Sequence, residues 1–571
     1  MKKPQAASDQ KKSATFRTTT FLLELPLVVN QGQAKRLRAH LEAARQLYNA
    51  ILSLGQKRLR RMRADPAWQE ARTFPRTHKA ERAAAFSALR QAHSFTEAAL
   101  HQAVKGLRVG WIAEHIEAVL AQTLATHAYR ALNRVCLGNA RRVRFKSRGR
   151  GFCSIENKRN DTGLRFVLQP PEKGNAGFLL WNGDRFPALI DWQDEVVCHG
   201  LKHRIKYARL LQRPASSKRA AGADTEGYRY VVQLVLEGVP HHKPKHIIGK
   251  SIVGGDLGPS TLALVPQEGE ASLQVFCAEL APDARAIRRL QRQMDRQRRA
   301  GNPEYYDEKG RIRKRDTKKR PWKQSKRYQA TRRRKASKER KLAAYRKSLH
   351  GRKVHEVLAL GKTIILEKIS YKAWQRQFGT SVGLRAPGMF VALLKRTVAS
   401  TGGTLVEVPT RTTALSQWCH GCGKKVKKPL SERWHQCACG VGPVQRDLYS
   451  AFLAAYLDPA DPIPSCARYQ VYWEGAEARL RAAHECLIQR AREGQDLPQS
   501  LGLTRARARL PKSSEEPPLE PALHPQGEEL EAWDEPLEPR CLSARGALRL
   551  CCNFWHRVMA HGKGFHATET S

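Results

Sequence analysis

Acidic residues are scarce in this chain. Its 571 residues hold 52 Asp and Glu against 102 Lys and Arg, a formal net charge of +50 at pH 7. A bare globule with that excess would repel itself, and binding a polyanion is the ordinary way to offset it. Long apolar runs are missing too. None approaches the roughly 18 residues that a bilayer span needs, and the basic stretches do not oppose a strong apolar face, so a membrane is not the expected anion. The apolar stretch Phe21–Val29 is broken by Glu24 and Pro26, and no small-x-small cleavage pattern follows it, so no signal peptide is expected. A disulfide framework is not expected either. The 13 cysteines are odd in number and, one group apart, scattered. That is the pattern of a reducing compartment with a single metal site, and the expected location is the cytoplasm.

Three acids stand at the rims of apolar elements. Lys250–Leu264 begins as a short β-branched strand and gives out at Asp256, with Gly254, Gly255 and Gly258 letting the backbone turn on both sides. Glu367 ends the strand-like run 363–369, and Asp447 opens QRDLYSAFLAAY, which reads as a helix. Mg²⁺ prefers oxygen ligands and keeps several waters, so a few carboxylates plus substrate phosphates complete its shell. Two such ions can activate a water and stabilise the leaving oxygen of a phosphodiester. Any one of these acids alone would read as a turn former; the set of three points to a metal-dependent site.

The cysteine group is Cys419 and Cys422, followed after 14 residues by Cys437 and Cys439, with glycine after each knuckle. Tight turns of this kind aim two thiolates each at one tetrahedral Zn²⁺. The second knuckle is C-x-C where two intervening residues are usual, so His435 or His420 remains an alternative ligand to Cys437 or Cys439. The site is closed, which makes its expected role structural.

Along the chain, residues 1–18 read as a disordered lead and Thr18–Val29 as a strand. From Gln33, Leu37, Leu41, Ala44, Tyr48, Ile51, Gly55 and Leu59 keep a three-four spacing, and a second long helix is expected from Ser94 through Ala128. Around Arg141 the pattern turns to strand, with Arg142, Arg144 and Lys146 on one face and Val143 and Phe145 on the other. A period-two basic face, continued by Arg148, can lie along a phosphate backbone. Segments 163–170, 177–181, 198–207 and 227–237 read as the short strands of a β-barrel. Residues 285–353 carry 29 Lys and Arg against 6 Asp and Glu, with helical spacing near both ends. Leu405–Val408 reads as another strand and Tyr472–Arg492 as a helix. Glu515–Glu538, with nine acids and several prolines, reads as a disordered tail, and the Cys551–Cys552 pair within the poorly patterned C-terminal stretch is expected to be inert.

GGDLG, ILEKI and QRDLYSAFLA, with the cysteine group just before the last, resemble the split RuvC core of TnpB-type transposon-associated nucleases, relatives of the compact type V CRISPR effectors. The resemblance covers roughly residues 19–460. It implies an α+β multidomain chain: a wedge β-barrel at 19–32 and 136–248 with an inserted helical recognition lobe at 33–135; an RNase H-like nuclease at 249–417 and 441–460; a zinc ribbon at 418–440; and an extension at 461–571. It implies RNA-guided cleavage of double-stranded DNA, with Asp256, Glu367 and Asp447 holding two Mg²⁺ and leaving a 5′-phosphate and a 3′-hydroxyl. A guide RNA comes from the resemblance alone, either transcribed from a transposon end or supplied as a CRISPR RNA. The rivals are a type V CRISPR effector, an RNA-guided DNA binder or repressor that cleaves weakly, and a strand-transferring transposase.

Overall fold

A computed structural model describes residues 19–503, apart from 76, 149–150, 171, 173, 175, 216–223, 225–226, 314–321, 430 and 496. The expected lead at 1–18, the acidic tail and Cys551–Cys552 lie outside the described residues. The chain divides into two compact units, one ending at His241 and the other beginning at His242.

In the first unit, β1 (Thr20–Pro26) buries every second residue, Phe21, Leu23 and Leu25. Asn30 then caps α1 (Gln31–Ala64) in a reciprocal box with Gln33. The whole stripe from Leu37 to Leu59 is buried, as its spacing requires. Asp65 accepts from the amide of Ala67 and, with Pro66, starts α2 (Pro66–Thr73), which is followed by α3 (Lys79–Ala92). The single long helix expected from Ser94 is instead three: α4 (Glu97–Leu107), α5 (Trp111–His115) and α6 (Ala118–Cys136). Gly110, at φ 55°, makes the break, and the cap is Thr96, whose side chain accepts from the Ala99 amide.

Residues 141–147 form no strand. After them come β2 (Ser154–Glu156), β3 (Arg165–Leu168), β4 (Gly177–Trp181) and β5 (Asp184–Ala188). The strand expected over 198–207 is overturned in its first half. Asp194 accepts from the Val196 amide and starts α7 (Glu195–Leu201), so β6 covers only Ile205–Pro214, ahead of β7 (Tyr228–Glu237). The strands form two antiparallel sheets, β1-β7-β6-β2 and β3-β4-β5. A bridge from Leu27 to Ala188 joins them at one corner.

His40 of α1 is 2% exposed, held between the rings of Trp181 (4.5 Å) and His115 (4.9 Å). Burial first, and the neighbouring His115 second, hold it down at about 4. A histidine kept neutral in the fold gives full stability above its unfolded value of about 6.5 and loses it as pH falls from there towards 4. Melting temperature is therefore expected to drop over that window in the wild type, and less steeply in His40→Leu; parallel curves would show that His40 plays no part.

In the second unit, β8 (Ile252–Leu257), β9 (Thr261–Pro266) and β10 (Ser272–Val275) form a meander. It leads into the basic helices α8 (Ala281–Ala300) and α9 (Lys326–Leu360). Next come β11 (Thr363–Lys368), α10 (Tyr371–Gln377), α11 (Gly379–Arg385), α12 (Pro387–Ser400) and β12 (Thr404–Pro409). After the short α13 (Thr410–Thr413), a small hairpin of β13 (Trp434–His435) and β14 (Val444–Gln445) runs straight into α14 (Arg446–Ala455), and α15 (Cys466–Arg492) follows.

The five-stranded sheet has the order β10-β9-β8-β11-β12, with β11 parallel to both β8 and β12. Alternate strand residues sort into two cores. Val253, Leu262, Leu264, Ile364 and Leu366 pack with α9 and α12, while Ala263, Val265, Ile365 and Val408 pack with α14 and α15. Trp322 packs against Tyr305, with ring centroids 4.6 Å apart, and under the guanidinium of Arg298.

Candidate active site and metal centre

Strand parity decides which face the acids take. Asp256 shares a face with Gly254, and Glu367 with Ile365, the face against which α14 packs. The parallel register sets Gly255 level with Leu366, one residue before both acids. A Cβ on Gly254 would overlap the carbonyl oxygen of Ala451 and the amide nitrogen of Ala455, so α14 lies directly on the β8 backbone. All ten residues of α14 are buried, and its first turn carries Asp447. Asp256, Glu367 and Asp447 line one cavity of about 790 Å³.

Each carboxylate has its own surroundings. Asp447 is 6% exposed, and its Oδ2 accepts from Thr261 Oγ1 at 3.1 Å. Glu367 Oε1 accepts from Thr413 Oγ1 at 3.2 Å and the Leu415 amide at 3.3 Å. Burial still raises it above the usual carboxylate range, against those two bonds. Asp256 is raised well above its ordinary value, by burial first and then by the charges of Asp447 and Glu367, with Arg446 and Arg433 pulling the other way. The pocket therefore concentrates negative charge that the fold only partly neutralises. Arg446 Nε stands 3.9 Å from Asp447 Oδ1, the outer edge of an ion pair, and its guanidinium donates to the Pro429 carbonyl. Asp447 is not locked to it.

Another wall comes from α10 and the junction with α11, where Trp374 and Phe378 line the cavity four residues apart, ring centroids 6.4 Å apart. Sequence reasoning missed these aromatics, together with Thr261, Thr413, Arg433 and Arg446. Only Arg446, adjacent to Asp447, could have been suspected from the chain.

Cys419, Cys422, Cys437 and Cys439 bring their sulfurs within 4.8 Å of one another, and among the described residues they are the group that could hold a single metal ion. The pairs Cys419–Cys439 and Cys422–Cys437 are each 3.6 Å apart. Four thiolates about 2.3 Å from a tetrahedral ion would sit about 3.8 Å from each other, so the set fits Zn²⁺. Neither alternative histidine joins it. His420 Nδ1 lies 2.8 Å from the Tyr449 hydroxyl, and His435 stacks on the Tyr449 ring at 3.9 Å. The short knuckle therefore brings in both of its cysteines, and β14 ties this loop to the start of α14. The three acids do not make a one-ion cluster of this tightness.

Arg142, Arg144, Lys146 and Arg148 are exposed. The first three line a cavity of about 880 Å³ in the first unit. Arg148 is not among its lining residues, and its charge helps hold Glu42 low.

No family model and no curated protein matches the chain. Among solved structures it is similar to the cryo-EM structure of a Cas12f1–sgRNA–target DNA complex, at 10% identity and TM-score 0.42, over 76% of this chain and 98% of that one. It is similar also to the mini-RNA-guided endonuclease CRISPR-Cas phi3, at 9% identity and TM-score 0.25, over 52% of this chain and 57% of that one. No helix among the described residues is long and apolar enough to cross a membrane.

Proposed function

We propose that this chain is an RNA-guided DNA endonuclease with a single RNase H-like site. The observation that carries the reading is the cavity into which a strand end, a second strand end and a helix start each deliver a carboxylate. The strand order, with a meander followed by two parallel strands and a late helix across the sheet, supports the same core. The donor set fits Mg²⁺: oxygen donors only, with like charges held together that a cation would relieve.

Asp256, Glu367 and Asp447 would hold the metal, and bound there two Mg²⁺ ions supply an activated water and a stabilised leaving oxygen. Thr261 and Thr413 orient Asp447 and Glu367 through their hydroxyls. Arg433 and Arg446 face the cavity where a scissile phosphate would enter. Water attacks phosphorus in line, the bond to the 3′-oxygen breaks, and a 5′-phosphate and a 3′-hydroxyl result. The four cysteines would hold a structural Zn²⁺ that fixes the loop feeding into Asp447.

The test uses the chain purified with whatever RNA it carries. Given DNA matching that RNA, the wild type should cut in Mg²⁺ and not in chelator, while Asp256→Ala binds and does not cut. Equal cutting by both removes Asp256 from the mechanism. Sequencing the RNA distinguishes a transposon-end guide from a CRISPR repeat, and a chain carrying no RNA would point to the transposase. For the cysteine site, metal analysis should find one zinc per chain, lost in both Cys437→Ser and Cys439→Ser with a fall in melting temperature. A variant that keeps full zinc would show its cysteine to be a bystander.

A further inference from the structure

We propose that the first unit contains an RNA-anchoring pocket that seats a sharply turned stretch of phosphate backbone. It is formed by Arg134, Arg141, Arg142, Arg144 and Lys146 around Tyr48, and it rests on the RNA partner proposed above. The alternating basic residues after Ala140 suggest a flat rail, a strand laid along a duplex. The structure gives a strap instead. Its start is tied down where the Ala140 amide donates to the Arg134 carbonyl at 3.0 Å. Its end is tied by Asn49 of α1: the Lys146 amide donates to Asn49 Oδ1, and Asn49 Nδ2 donates to the Lys146 carbonyl, both at 2.9 Å. Arg45 adds a second bond to that carbonyl at 3.0 Å. Between these anchors residues 141–145 belong to no sheet, and the strap closes over a cavity of about 880 Å³ against α1 and α6.

The lining chemistry identifies the ligand. Five cations and a tyrosine surround the cavity, and among the described residues no acid lines it. Such a set, held by bonds to its backbone and with no acid among its described lining residues, suits several phosphates brought close together. Regular duplex DNA offers its phosphates along a smooth convex edge and is met by open grooves and rails. A backbone that doubles back into a concave site is a feature of loops and bulges in folded RNA. The Phe152 ring, edge-on to Tyr48 with centroids 5.3 Å apart and under Lys146 Nζ, holds the floor in place.

The test compares the full chain, stripped of nucleic acid, with Arg142→Gln/Arg144→Gln and with Asn49→Ala. The probes are a bulged RNA hairpin and a DNA duplex of equal length, titrated over a range of KCl. The double variant should bind the hairpin about 10–100-fold more weakly, with the slope of log affinity against log salt reduced by about 1.5, two phosphate contacts' worth. Its duplex affinity should change less than about twofold. Asn49→Ala removes no charge, so it should weaken hairpin binding by about threefold to tenfold with the salt slope unchanged. Unchanged hairpin affinity in both variants, or equal losses on hairpin and duplex, overturns the pocket. A wild-type chain that binds no RNA sinks the guided reading with it, whereas wild-type RNA binding untouched by the variants sinks the pocket alone. Arg144→Gln by itself serves should the double variant melt early.

Discussion

Asp256→Asn should lower DNA cleavage by about 10³-fold, the scale seen when a preorganised charged or polar group is removed from a reacting centre, and should raise the melting temperature of the metal-free chain. The two effects share one cause. Asp256 is taken out of water and faces two more carboxylates; burial first and the charges of Asp447 and Glu367 second raise its proton affinity, at a cost to stability. Asparagine keeps the shape and removes one charge, so the repulsion falls. A relief of 1 kcal/mol corresponds to about 2–4 °C in a chain with units of this size. Mg²⁺ should then raise the melting temperature of the wild type markedly and that of the variant little. A variant that melts lower than wild type in chelator, or that still cuts, would mean that Asp256 is an ordinary structural acid.

Arg446 decides how far that argument extends. Had its guanidinium met Asp447 squarely, the pocket would hold a neutral pair and one fewer ligand. It is instead turned towards the Pro429 carbonyl, 3.1 Å away. Its charge lowers the cost of assembling the acids without occupying any of them. Thr261 and Thr413 act in the same direction, each giving a hydroxyl to a carboxylate taken largely out of water, Asp447 and Glu367 respectively.

β8, β11 and α14 at the site, and α1 in the first unit, could be read from the chain because each carries a single dominant signal. β8 and β11 open on β-branched residues and carry an acid one residue before their ends, and α1 keeps its apolar stripe for its whole length. The first unit was harder. The strand expected over 198–207 gives way in its first half to α7, because an aspartate cap and a helix of seven residues outweigh a weak apolar alternation. The basic run 141–146 has the period of a strand, yet it lacks a partner edge, since β2 pairs with β6 some residues later. Periodicity reports which side chains share a face and says nothing of whether a neighbouring strand is there to bond to. The aromatic wall was illegible for a related reason. Trp374 lies on a helix of seven residues and Phe378 at the junction with the next, also of seven, too short for spacing to show which face they present. The zinc knuckle was half legible: four cysteines were visible, but only the folded loop shows that the one-residue gap still lets Cys437 and Cys439 converge with Cys419 and Cys422.

Gly254→Ala should damage both stability and cleavage. Its added methyl meets the backbone of α14, the Ala451 carbonyl and the Ala455 amide, with Ala455 Cα at 2.8 Å. No rotamer change relieves such an overlap. Strand and helix must part, and overpacking of this kind typically costs about 1–3 kcal/mol. The catalytic consequence is larger, because Asp256 lies two residues along the strand and Asp447 opens the displaced helix. A shift of about 1 Å between them is expected to cost about 10²-fold in cleavage. Gly255→Ala provides the contrast. Its methyl would meet Leu366 Cδ2 at 2.6 Å, the end of a flexible side chain, so Leu366→Val should restore much of the lost melting temperature. For Gly254→Ala no neighbouring truncation should help, Ala451→Gly included, since the obstruction is main chain. Recovery of activity in Gly254→Ala/Ala451→Gly would show that α14 can move off β8 without separating the acids, and that Gly254 does not set the geometry of the site.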